Sequence, residues 1–506
     1  MSDSSHWIKM ATAALLFVAP ATAHGEDGHR LWLRYDPMQP QLRQHYARDA
    51  TEIIVHAKGA IILAAAAELE RGLSGLIASR IAIRERADRN GAVLLSLASD
   101  PAVQSLHLTT SNLGSEGFIL RSARLHGRKA TLVVANTQKG LLYGAFELLR
   151  RIQTHRSIEA LDVRDKPALP LRMLDHWDNL DGTVERGYAG KSLWNWSALT
   201  NTAEQRIIDY ARADASIGIN GIVLNNVNAD PKILTAAYLT KVAALADIFR
   251  PFGIRIYLSV RFSGPIDIGG LKTADPLDPA VAAWWRDKAD EIYRLIPDFG
   301  GFLVKANSEG QPGPQDYHRS HAEGANVIAD ALRPHRGTVL WRAFVYGNSN
   351  EDRAKQAYDE FRPLDGKFRE NVILQLKNGP IDFQPREPFH SLFGQMPQTR
   401  VALEAQVTRE YLGQNTGIAY LGPMWTEVVN ADTCAPHCGP PVSATISAMA
   451  GVSNVGSDLN WTGTDFDQAN WYALGRLAWN PKLTAGTIAD EWVRMTWSND
   501  PRAVKP

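Results

Sequence analysis

Two stretches of this chain set a lysine and a carboxylate on either side of a turn. In Lys305-Ala-Asn-Ser-Glu309-Gly-Gln-Pro-Gly-Pro314 the pair follows the apolar run Gly301-Phe-Leu-Val304, which reads as a buried parallel strand. Gly and Pro residues then stop regular structure. The stretch Lys377-Asn-Gly-Pro-Ile-Asp382-Phe-Gln-Pro-Arg386-Glu-Pro388 repeats the plan. A carboxyl at the C-terminal mouth of a barrel strand is where such folds keep their chemistry. One protonated carboxyl can donate to a leaving oxygen while a second activates water, and nearby cations suit an anionic ligand. Together the two mouths point to acid–base cleavage of an anionic sugar.

Other strand ends add to the set. The first candidate strand delivers Asp175-His-Trp177-Asp-Asn179, the second Asn225, Asn226 and Asn228, and the third Arg261. The fifth delivers Arg342, and the seventh Glu404 and Glu410. Unpaired charge is costly to bury, so these groups must pair with one another or with a ligand. An internal ion-pair network accounts readily for one or two pairs, less readily for a ring at every strand end. Glu309 suits a general acid, because a barrel-mouth pocket can raise its pKa. Asp382 and Glu410 could flank a water. Lys305, Arg342 and Lys377 could bind a sugar carboxylate, Arg through two parallel hydrogen bonds. Trp177 offers an apolar wall.

The elements that must position these groups follow an alternating pattern. After the stiff linker Lys166-Pro-Ala-Leu-Pro170, strand candidates run over Leu171 to His176, Gly221 to Leu224, Ile254 to Val260 and Gly301 to Val304. Four more follow: Thr338 to Arg342, Val372 to Leu376, Ala402 to Val407 and Ile418 to Leu421. Amphipathic helices lie between them, clearest over Thr202 to Ala215, Leu234 to Phe249 and Val281 to Leu295. Eight strands in this order predict a (β/α)8 TIM barrel over residues 166–480. An open doubly wound sheet is the alternative, but no Gly-x-Gly-x-x-Gly turn follows the first strand. Residues 24–165 mix strands with the helices Ile61 to Leu76 and Gly140 to Arg151, which predicts a separate N-terminal α+β domain. Ala485 to Trp497 reads as a further helix.

Composition narrows the partners. Among 506 residues, Lys plus Arg and Asp plus Glu are equal at 54 each. That balance disfavours nucleic acid or an anionic membrane as the main partner. Residues 1–23 read as a secretory signal: Lys9, the apolar run Met10 to Ala21 and the cleavage pattern Ala21-Thr-Ala23. Export to the periplasm or the medium is expected, with the mature chain starting near His24. The two cysteines, Cys434 and Cys438, read as a local disulfide. Free thiols, or a metal held with His437 and Asp432, are the alternatives. No cofactor is expected, and no metal at the acid–base site.

Longer motifs carry a resemblance. The segment from Leu174 through Asp175-His-Trp177 to Trp194, Asn307-Ser-Glu309-Gly-Gln-Pro-Gly-Pro314, Gly379-Pro-Ile-Asp382-Phe-Gln-Pro-Arg-Glu-Pro388 and Gln406-Val-Thr-Arg-Glu410-Tyr-Leu-Gly-Gln414 resemble the α-glucuronidases of glycoside hydrolase family 67. The resemblance implies an exo-acting, inverting enzyme that removes α-1,2-linked glucuronic acid, or its 4-O-methyl ether, from xylooligosaccharides. It implies Glu309 as the general acid and Asp382 with Glu410 as the pair that activates water. Lys305, Arg342 and Lys377 would contact the uronate, and Trp177 would pack on the sugar. The family continues into a long C-terminal helical domain that helps to form a homodimer; residues 481–506 read as its beginning. Two other readings stand beside this one. A hexosaminidase-like barrel would need an Asp-Glu neighbour pair at a strand end. A protein that only binds acidic sugars would keep the carboxyls without turnover.

Overall fold

The computed structural model describes residues 26–504, apart from 126, 187–188, 198, 200–203, 345–351 and 435–438. The expected signal at residues 1–23 lies outside them.

Six strands form the first sheet: β1 (Glu52–Val55), β2 (Ile83–Arg84), β3 (Ala92–Leu97), β4 (Phe118–Leu125), β5 (Arg128–Ala135) and β6 (Asp162–Asp165). Their order is β2-β1-β3-β5-β4-β6. The first four in that order run parallel, and β4 runs antiparallel to both β5 and β6. Side chains alternate faces along a strand. Ile53, Val93, Leu95, Leu120 and Val133 accordingly join the large core beneath the helices Ala60–Ile77 and Gln138–Gln153. Ile54, Leu94, Ile119, Leu132 and Val134 form a separate cluster on the opposite face.

The chain leaves β6 at Asp165 and enters the barrel at Leu171. Eight parallel strands close on themselves: β7 (Leu171–Asp175), β8 (Gly221–Val223), β9 (Arg255–Val260), β10 (Gly301–Val304), β11 (Thr338–Arg342), β12 (Val372–Lys377), β13 (Arg400–Gln406) and β14 (Ala448–Val452). Met173, Val223, Tyr257, Leu303, Leu340, Ile373, Ala402 and Ala448 fill the interior. The barrel is packed rather than open, as the shape of an eight-stranded closure requires.

Seven of the eight strands lie where the apolar runs place them; the last does not. Ile418 to Leu421 is loop that leads into the helix Gly422–Asn430, and β14 closes the barrel instead. Its sequence, Ala-Met-Ala-Gly-Val, is poor in the β-branched and aromatic residues that mark a strand. It is small because the space is taken: a Cβ on Gly451 would meet Leu474 and Val407.

The sheet and the barrel share buried polar contacts. Arg172 on β7, fully buried, donates to the Gly218 and Leu169 carbonyls at 2.5 and 2.6 Å and to Glu116 at 2.8 Å, and its guanidinium lies over Trp479. Glu68 of the first domain's helix accepts both Nε and Nη2 of Arg212 at 2.8 Å. Trp32 donates to Ser216 at 2.7 Å, and Trp479 to Asp165 at 3.0 Å. Cys434 is disulfide-bonded; Cys438 lies outside the described residues. Among the described residues no helix is long and apolar enough to cross a membrane.

Candidate active site

Loops rather than strands carry the carboxylates at the barrel mouth, and each loop is pinned. After β10, Asn307 accepts from the Gln315 amide at 3.0 Å and donates to Asp316 at 3.1 Å. Gly313 must be glycine because a Cβ there would run into Asn307. After β12, Glu387 gathers three backbone amides, those of Ile381, Asp382 and Gln384, at 2.7–2.8 Å. After β13, Arg409 donates to Asp467 at 2.5 Å and to the Gly417 carbonyl at 2.7 Å. Arg186, Asn307, Glu309, Phe383, Arg386 and Arg409 all have positive φ. Non-glycine residues in that region are strained, and such strain collects at functional sites.

The cations lie beneath the carboxylates. Lys305 and Lys377 are buried, their side chains 2 and 4% exposed, whereas Glu309 is 48% exposed and Asp382 22%. Lys305 pairs with Glu309 and donates to Asn228 at 2.9 Å. Lys377 Nζ pairs with Asp382 at 2.5 Å and sits over the Phe344 and Phe383 rings. Tyr411 donates to the other Asp382 oxygen. Glu410 pairs with Arg186 at 2.5 Å and accepts from Gln406 at 2.9 Å. Glu185, next to Arg186, accepts from Asn226 and Asn228 at 2.9 and 3.1 Å, which links the Glu410 side of the mouth to Lys305.

Arg342 and Trp177 form the floor. Glu404 takes the Nε and Nη2 edge of Arg342 at 2.8 and 2.7 Å, with both side chains almost fully buried. The guanidinium lies 5.8 Å from the Trp177 ring, which is 6% exposed. Arg261 pairs instead with Asp267 of its own loop.

The electrostatics correct one expectation. Burial acts to raise the Glu309 carboxyl, but the Lys305 hydrogen bond and charge, with Lys377 and Arg342 behind, hold it below the ordinary range. The lysine four residues upstream is a partner as well as a candidate ligand contact. Burial likewise acts to raise Asp382, and Lys377 and Tyr411 outweigh it. Burial, then repulsion from Arg342, brings Lys377 down to about 8. The lysine–carboxylate pairs are legible from their spacing. Arg186 and Tyr411 as partners of Glu410 and Asp382 are not: the first pair is far apart in sequence, and Tyr411 reads as an ordinary loop aromatic. Among the described residues no group of three His, Cys, Asp or Glu could hold a metal ion.

Comparison with known proteins places the chain. Residues 151–461 match the middle domain of glycosyl hydrolase family 67, residues 31–148 its N-terminus and residues 462–506 its C-terminus. The chain belongs to glycosyl hydrolase family 67. Alpha-glucuronidase A of Emericella nidulans is 40% identical over 97% of this chain and 60% of its own length. An alpha-glucuronidase of Hypocrea jecorina is 38% identical over 96% of this chain and 60% of its own. The chain thus spans 60% of the length of these relatives. Among solved structures, a family GH115 4-O-methyl-alpha-glucuronidase with specificity for decorated arabinogalactans superposes with a TM-score of 0.54 at 12% identity, covering 88% of this chain and 59% of that one. A GH138 enzyme targeting pectin rhamnogalacturonan II does so with a TM-score of 0.54 at 16% identity, covering 87% of this chain and 52% of that one. At such identities these two share the fold alone.

Proposed function

We propose that this chain is an inverting, exo-acting α-glucuronidase that releases α-1,2-linked glucuronic acid, or its 4-O-methyl ether, from xylooligosaccharides. The observation that carries the reading is the pairing of two buried lysines with two mouth carboxylates above Arg342, in a family whose relatives at about 40% identity are named alpha-glucuronidases.

In this reading the substrate carboxylate competes with protein carboxylates for the same cations. Lys305, Lys377 and the Arg342 edge turned away from Glu404 would receive the uronate, and the sugar would pack on Trp177. Once Lys305 turns to the uronate, Glu309 loses the charge that holds it ionised, and its partial burial then favours the protonated form. Glu309 gives that proton to the glycosidic oxygen as the bond to the anomeric carbon breaks. Asp382 and Glu410 take a proton from water, whose oxygen attacks the opposite face of the ring. The product is the β-anomer of glucuronic acid and a free xylose hydroxyl.

The apolar stretch Met10 to Ala21 supports export, since a xylan fragment is met outside the cytoplasm.

Purified protein is offered an aldouronic acid and, separately, an N-acetylhexosaminide. Glucuronic acid should appear from the first, with the β-anomer as the first NMR-visible product, and nothing from the second. Cleavage of the hexosaminide alone would replace this reading with a hexosaminidase, and binding of the aldouronic acid without turnover would replace it with a sugar-binding protein.

A further inference from the structure

Beneath the mouth, one acidic side chain has no place in the acid–base chemistry. Asp175 ends β7 and is 1% exposed. Its Oδ2 accepts from Gln375 Nε2 on β12 at 2.6 Å. The same amide nitrogen reaches Glu404 Oε2 on β13 at 3.0 Å, and Glu404 holds Arg342 on β11. Four side chains from four strands thus form a single file across the barrel: carboxyl, amide, carboxylate, guanidinium.

The charges in this file do not balance if both carboxyls ionise, because only one cation serves two anions. Asp175 Oδ1 is also buried with no hydrogen-bond partner, as is Gln375 Oε1. An ionised carboxylate with a bare, buried oxygen is a costly arrangement, and the neutral acid, with no charge to bury, costs less. The remaining neighbours do not change the count. Val452 on β14 and Val223 on β8 are the register partners of Asp175. The charged groups that bear on it are Glu404 and Arg342.

We propose that Asp175 is a positioning residue held as the neutral acid, and that its proton keeps the Glu404–Arg342 pair balanced so that the mouth above presents undiminished positive charge to an anionic sugar. This rests on the uronate reading of Lys305, Arg342 and Lys377. Burial first, then the charge of Glu404, raises Asp175 to about 7 against the pull of Gln375 and Arg342. Below that value the file is neutral overall. Above it, one negative charge appears under Arg342 and Lys377, and anion affinity falls.

Two measurements on the full chain test this. The first is the infrared difference spectrum between about pH 6 and pH 8, which brackets the Asp175 value. The wild type should lose a carboxylic-acid carbonyl band that Asp175→Asn lacks. If Asp175→Asn does not fold, Asp175→Glu must move that band to a different frequency, which a band from another aspartate would not do. The second is the affinity for free glucuronate over the same range, with the matching neutral sugar as control. The wild type should lose roughly tenfold, the order of one partly screened charge. Asp175→Asn should hold its affinity until Lys377 titrates near 8. Absence of the band, or the same loss in both proteins, overturns the proposal. Glucuronate that binds neither protein at any pH overturns the uronate reading and this consequence of it, while the infrared result still decides whether Asp175 carries the proton.

Discussion

Asp382 is held at both oxygens, by the end of β12 and by the loop after β13: Lys377 Nζ lies 2.5 Å from Oδ1, and the Tyr411 hydroxyl donates to Oδ2. Both partners favour the ionised form. A carboxylate so placed is ready to orient or activate water but is a weaker proton acceptor than a solvated one.

Removing the Tyr411 hydroxyl should therefore make Asp382 more basic. In Tyr411→Phe the carboxylate loses one donor, and its pKa should rise by about one unit, the size of a charge-assisted hydrogen bond. Activity that needs Asp382 ionised should then fall at a higher pH than in the wild type. The acidic limb of the kcat/KM profile measures it, and an unmoved limb would mean that Asp382 does not set it.

Glu309→Gln separates chemistry from binding. In the proposed mechanism a poor sugar-hydroxyl leaving group takes its proton from Glu309, so the variant should lower kcat by about 10²–10⁴-fold. Glucuronate should bind at least as tightly as before, since a neutral amide competes for Lys305 less well than a carboxylate. Calorimetry that showed weaker binding would mean that Lys305 needs Glu309 to hold its place.

Lys377 predicts the alkaline side. Its pKa of about 8 means that it is a cation below that value and neutral above it. Affinity for an anion should therefore fall as pH rises through 8, by as much as about tenfold per unit if the charge is essential. In Lys377→Met the affinity should be low throughout and lack this step. Binding of a neutral glucoside analogue, followed by the same titration, should stay level across it.

Glu404→Gln should be a stability variant. It leaves the Arg342 guanidinium buried without its counter-charge, a change that costs about 3–5 kcal/mol in comparable sites. Denaturant unfolding should show the loss as a lower midpoint with an unchanged slope.

Much of the barrel is legible in the chain alone. The apolar runs that form β7 to β13 are short, bounded by turns and rich in Val, Ile and Leu. Lys305, Glu309, Lys377 and Asp382 lie close enough in sequence to be read as units. What is not legible depends on folding. β14 hides in Ala and Gly because Leu474 fills the space beside it. Arg186 reaches Glu410 only after the barrel closes. The expected upward shift of Glu309 fails because Lys305, which the spacing offers to a ligand, also turns to the nearest carboxylate.

Arg172 also bears on how the mouth could widen. Its guanidinium spends its donors on Glu116 and on the carbonyls of Leu169 and Gly218, and packs on Trp479, at the very point where the chain passes from sheet to barrel. A joint fastened this way cannot serve as a hinge. The two layers should travel as one body, the Lys166–Pro170 segment should resist proteolytic nicking despite its loop-like sequence, and any widening of the entrance must come from the mouth loops themselves.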